Sequence, residues 1–178
     1  MKRRDFSAVV TLAIAATMMF TSVARADSLL DKLEPKSATV RAGDVYATIQ
    51  PAVAEAAPGQ DIKVSADFFI ATGWHIYGKP ISTDFVPTTV TFDNAVVAKQ
   101  SIDFPKPEMI KFASLGQTLP VYKGSVHAGG DVKLRPDLKP GTYNLSGKVE
   151  FQECSDNICK MPQSLPFAIP ITVASSDH

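Results

Sequence analysis

Cys154 and Cys159 are the only two cysteines in a chain of 178 residues, and the stretch that holds them reads FQECSDNICKMPQ. Four residues separate them, and Ser155, Asp156 and Asn157 among those four favour a turn. Such a pair can staple the turn as a disulfide, exchange as a dithiol with another disulfide, or join Met161 and His127 as soft ligands for Cu(I). A staple across so short a loop stabilises by only about 2 kcal/mol, and a bond between distant strands does more. Thiols that stay neighbours after reduction re-form their bond easily, which favours redox use. Zinc is poorly served, because this spacing lies at the edge of zinc patterns and no second cysteine pair completes a site. Glu153 and Asp156 flank Cys154 and disfavour a thiolate there, whereas Lys160 beside Cys159 favours one. Cys159 is therefore expected to be the exposed, reacting sulfur. No helix start is at hand to stabilise a thiolate strongly, so the expected potential is intermediate.

The elements that must position this pair are strands. All 13 prolines lie beyond residue 26 and are spread along the chain, which argues against long helices. In DIKVSADFFI the apolar residues Ile62, Val64, Ala66, Phe68 and Ile70 alternate with Lys63, Ser65 and Asp67. Tyr143, Leu145, Gly147, Val149 and Phe151 repeat the pattern, the period of half-buried strands. Further strands are expected over 44–50, 74–78, 88–92, 96–100, 121–127, 132–135 and 167–173. Turns are expected at Pro58-Gly59, Asp93-Asn94, Gly129-Gly130 and Pro140-Gly141. Eight or nine short strands with frequent turns predict an all-β fold, an immunoglobulin-like antiparallel β-sandwich. Tyr143 after LKPG suits either a tyrosine corner or an ordinary strand tyrosine. Residues 102–119 break the alternation and read as a long loop or an irregular edge.

The ends set the compartment. Residues 1–26 carry a basic head, an apolar stretch and the triplet Ala24-Arg25-Ala26, the pattern of a cleaved export signal. The head KRRDFS resembles the twin-arginine motif, so export by the Tat or the Sec route is expected. Either route leads to the periplasm, where disulfides persist. Residues 27–43, with a short helical hint in SLLDKLEP, read as a loose leader, and 44–178 as one domain. Beyond residue 26 the chain has 14 Lys+Arg against 17 Asp+Glu, a net charge of −3, so no basic nucleic-acid surface is expected. No second stretch is apolar enough to cross a membrane. No nucleophile elbow, phosphate loop or carboxylate pair supports a hydrolase. His75 and His127 read as ordinary satisfied histidines. Trp74 and Tyr77 suit a buried sandwich tryptophan or an aromatic contact surface.

The cysteine stretch resembles the active site of the N-terminal periplasmic domain of DsbD, the transmembrane thiol:disulfide interchange protein. The shared pattern is Phe151, Gln152, Cys154, Asp156, Cys159 and Pro162. GWHIYGKPIS resembles that family's aromatic strand, and SLGQTLPVYKG the loop that caps its active site. The resemblance covers roughly residues 44–173. It implies an immunoglobulin-like fold and exchange with thioredoxin-like domains and periplasmic disulfide proteins; no cofactor and no metal are expected. By position, Cys159 forms the mixed disulfide, Cys154 resolves it, and Phe112 or Leu115 caps the pair. The best-known members have one more residue between the cysteines. They also carry membrane and thioredoxin-like parts, which here are expected on another chain, a membrane electron transporter.

Overall fold

The computed structural model describes residues 34–113 and 116–175. The export-signal region, residues 28–33 of the helical hint SLLDKLEP and the cap residue Leu115 lie outside the described residues. Thirteen strands form three sheets among the described residues, all antiparallel except one short parallel pairing. The first sheet is ordered β1 (Ala38–Ala42), β2 (Val45–Pro51), β4 (Asp61–Ile70), β10 (Gly124–Leu134) and β7 (Val97–Asp103). The second is β3 (Glu55–Ala56), β13 (Gln163–Val173), β11 (Gly141–Phe151) and β6 (Thr89–Phe92). The third is β12 (Glu153–Cys154), β5 (His75–Tyr77), β9 (Gln117–Tyr122) and β8 (Glu108–Phe112).

The first two sheets make an immunoglobulin-like sandwich. The period-two residues behave as their pattern dictates: Ile62, Val64, Ala66, Phe68 and Ile70 are all buried, as are Leu145, Val149 and Phe151 opposite them. Burial of these side chains, worth roughly 1.5–3 kcal/mol each, is the main term holding the layers together. Tyr143 makes the corner, its hydroxyl donating to the Lys139 carbonyl at 3.0 Å. At the outer strand β6, Gln100 of β7 acts as a substitute strand. Its amide nitrogen donates to the Phe92 carbonyl and its oxygen accepts the Phe92 N–H, both at 2.7 Å.

Four expectations are corrected. The sheet begins before residue 44, because Ala38–Ala42 pair with β2 where a leader was expected. Residues 102–119 are an edge and not a long loop: β7 runs to Asp103, and β8, the outer strand of the third sheet, pairs with β9 so that Met109 faces Pro120. The strand expected over 121–127 is two strands, with Lys123 between β9 and β10. Gly129-Gly130 is no turn but the middle of β10, which pairs on both edges. Gly130 is there because a side chain would strike the Ser101 carbonyl of β7. Glycine in mid-strand marks a close backbone approach as often as a turn.

Replacing Gly130 by Ala is therefore expected to destabilise the fold by about 1–3 kcal/mol, the usual cost of overpacking. Urea unfolding of the variant beside the parent measures it, and an unchanged midpoint would show that β7 yields freely.

Candidate active site

After Phe151 the chain leaves the main core, and β12 becomes the edge of the third sheet, with Cys154 opposite His75 and Glu153 opposite Ile76. It then doubles back. The Lys160 N–H donates to the Glu153 carbonyl at 2.9 Å and the Ser155 N–H to the Ile158 carbonyl at 2.8 Å, leaving Asp156-Asn157 as a two-residue turn. The Ser155 hydroxyl oxygen accepts the N–H groups of Asn157 and Ile158 at 3.3 and 3.2 Å, the local bonding for which serine is favoured in turns. Between the two bonded rungs, Cys154 and Cys159 face each other as the close, non-hydrogen-bonded pair of an antiparallel ladder. Their Cα atoms are 4.0 Å apart and a disulfide joins them. Four intervening residues are what a two-residue turn needs to bring both side chains to one face. Cys154 is 1% exposed, whereas Cys159 lies on the surface.

Alternation sends the neighbouring charges to the other face. Glu153 is 1% exposed. Its Oε2 accepts the Asp44 N–H at 3.0 Å and its Oε1 meets Lys160 Nζ at 2.8 Å. The same ammonium reaches Asp44 Oδ2 at 2.8 Å and sits 4.0 Å from the centre of the Trp74 ring. The hydrogen bonds to Asp44 and then Glu153 hold this ammonium above the ordinary lysine range. Gly43 makes room, since at its φ of +54° a side chain is strained and would overlap the Glu153 carboxylate. The expected partnership of Lys160 with Cys159 is thus corrected: its charge is committed to two carboxylates behind the hairpin.

On the disulfide's own face stand aromatic rings. The Tyr77 hydroxyl donates to Cys154 Sγ at 3.2 Å and lies 3.7 Å from Cys159 Sγ. Phe85 packs on Tyr77 at 4.7 Å between ring centres. The His75 ring meets the Tyr77 ring at 5.4 Å and the Phe112 ring at 4.9 Å. His75, Tyr77 and Phe112 join the turn residues, Cys159 included, around a cavity of about 100 Å³. A larger groove of about 420 Å³ runs between β6 and the β7–β8 connection and contains neither cysteine.

His75 is not the satisfied histidine expected. It is 2% exposed and its Nε2 has no hydrogen-bond partner. Burial, then the charge of Lys123, pushes its pKa below the ordinary imidazole range, with Asp156 pulling weakly the other way. His75 and Tyr77 stand two residues apart on one strand, so their shared face was readable from the sequence. Which strand would lie against them was not. His127 sits on β10, paired with Asp67 at 2.6 Å, and does not line the disulfide cavity. Among the described residues no group of three His, Cys, Asp or Glu could hold a metal ion.

Residues 46–169, from β2 through most of β13 and including both cysteines, match the family described as the N-terminal domain of the thiol:disulfide interchange protein DsbD. The chain belongs to the DsbD N-terminal domain family. Among solved structures, the N-terminal periplasmic domain of ScsB from Proteus mirabilis aligns with a TM-score of 0.54 at 20% identity. The alignment covers 72% of this chain and 49% of that one, so the likeness is one of fold over about half the other's length. No curated protein matches the chain. Within the DsbD N-terminal family, this member closes its cysteine hairpin with a two-residue turn and sets a histidine beside it.

Two outcomes are expected. Lys160→Met leaves the buried Glu153 carboxylate without its cation and should cost about 2 kcal/mol in urea unfolding. That is less than a fully buried unpaired charge costs, because the Lys160 side chain is 34% exposed. Stability should also fall as pH drops below about 6.5, since the unfolded chain takes up a proton on histidine there and folded His75 resists it. The contribution is complete above that pH and is lost as pH falls through the folded pKa. Urea midpoints between about pH 5 and 7 should lose that part of their slope in His75→Phe.

Proposed function

We propose that the protein is an exported thiol–disulfide exchange module, relaying electrons between a thioredoxin-like partner and other periplasmic proteins through Cys154 and Cys159. One observation carries the reading: the disulfide joins a buried cysteine to an exposed one on a sheet-edge hairpin. A partner can reach Cys159 while the fold holds Cys154. Membership of a thiol:disulfide interchange family supports the chemistry. The export pattern of residues 1–26 supports the compartment, and no helix among the described residues is long and apolar enough to cross a membrane.

In the proposed exchange a partner thiolate attacks Cys159 Sγ. The S–S bond breaks, its electron pair leaves on Cys154 Sγ, and a mixed disulfide joins Cys159 to the partner. The Tyr77 hydroxyl, already directed at Cys154 Sγ, stabilises the charge that arrives there. In the other direction the Cys154 thiolate attacks Cys159 Sγ and expels the partner's sulfur. Phe112 serves as the shield over the pair, and β8, which carries it, gives way when a partner docks. Ile158 and Met161, exposed on either side of Cys159, offer the apolar contact that docking needs.

The pair poised in thiol buffers and counted by alkylation should show a reduction potential above about −250 mV. A value below about −300 mV would mark a structural bond and overturn the proposal. Cys154→Ser should trap a long-lived mixed disulfide with a thioredoxin-like partner, and Cys159→Ser should trap none.

A further inference from the structure

We propose that His75 is the proton-transfer group of this exchange, taking the thiol proton of Cys154 when Cys154 resolves the mixed disulfide on Cys159. The inference rests on the exchange reading and adds to it a residue and a step. It starts from strand register. His75 and Cys154 are direct partners across β5 and β12, so their side chains share a face, with Cβ atoms about 4.5–5.5 Å apart. His75 also lines the cavity that Cys159 lines. Its ring is held by Tyr77 on one side and Phe112 on another, which leaves little freedom to turn away. Its Nε2 is buried without a partner. A buried nitrogen left open costs about 1–3 kcal/mol, so its retention calls for a use.

The need for a base is equally local. Cys154 is buried, and a thiolate forming there is disfavoured by lost hydration. The cation on the hairpin itself, Lys160, is held by Asp44 and Glu153. Tyr77 supplies one hydrogen bond but no proton acceptor of useful strength at neutral pH. The groups facing His75 are Cys154 of β12, Tyr77 of β5, Phe112 of β8, Lys123 after β9, and Asp156 and Cys159 of the turn. Burial and Lys123 keep the imidazole neutral, the form that accepts a proton.

The step balances as follows. With Cys159 joined to a partner sulfur, the Cys154 S–H proton passes to the imidazole. The Cys154 thiolate attacks Cys159 Sγ, the Cys159–partner bond breaks, and its electron pair leaves on the partner sulfur, which takes the proton from the imidazolium or from water. The partner is reduced and Cys154–Cys159 is oxidised. In the opposite direction the imidazolium returns the proton to Cys154 as it leaves.

The test separates the two steps. The protein is reduced, mixed with glutathione disulfide, and sampled by rapid acid quench and intact-mass measurement from about pH 5 to 9. Formation of the glutathione adduct on Cys159 reports the first step, and its loss to the intramolecular disulfide reports resolution. His75→Phe should leave adduct formation unchanged and slow resolution by about 10²-fold. Its resolution rate should rise in proportion to hydroxide, where the parent levels off at the His75 pKa. His75→Gln, which keeps a polar side chain but cannot titrate, should behave like the Phe variant and gives the same reading if Phe disturbs the fold. Parent-like rate and pH profile in both variants would overturn the proposal, as would transfer of the inflection to Asp156→Asn. Failure of the parent to form any adduct would instead overturn the exchange reading itself.

Discussion

A carboxylate 1% exposed must have its charge and its lone pairs answered inside the protein, and among the described residues Glu153 is answered by two groups: the Asp44 N–H and the Lys160 ammonium. That requirement ties Asp44, the residue just before β2, to both legs of the cysteine hairpin. Because side chains alternate, fixing Glu153 and Lys160 behind the hairpin fixes Cys154 and Cys159 in front of it. The disulfide is a passenger on this frame. Two backbone rungs, the ion pair and Gln152 all hold the hairpin without it, Gln152 donating to the Lys160 carbonyl and accepting the Val86 N–H, each at 3.2 Å. Breaking the S–S bond leaves these contacts in place, and the two thiols still face each other.

The molecule divides its labour between two apolar clusters. The large one fills the sandwich and contains neither cysteine. The small one gathers Tyr77, Leu119, Val121 and Cys154 under the third sheet, with Ile81, Phe85, Ile110 and Phe112 against it. A site on the smaller cluster can open and close with little disturbance to the larger one, since local opening follows the number of buried apolar contacts broken. Rigidity and access, which compete in a single core, are here assigned to separate ones.

Much of this was legible in the sequence, and the failures have physical causes. The long strands β4 and β11 could be read because one face is buried and the other wet, so composition carries the period. β9 could not, because Leu119 through Tyr122 are all buried and the period vanishes. Gly129-Gly130 misled because small size serves a turn and a crowded mid-strand alike. The cysteine pair could be read as a candidate from its spacing. Lys160 was given to the wrong neighbour because adjacency along a strand means opposite faces, and only the turn length reveals that. His75 escaped because its significance lies in a strand pairing some 80 residues away in sequence.

The reach of Gln100 to Phe92 bears on how these molecules behave in company. An outer strand presents open amide and carbonyl groups on which another chain can add itself. At Phe92 both groups are already taken by a side chain of the same molecule. What is left of β6 is three residues, less than the length of an ordinary strand and a poor seed for a ladder. A single amide thus makes this rim a bad template for copies of itself, and crowding should not draw the sandwiches into filaments along it.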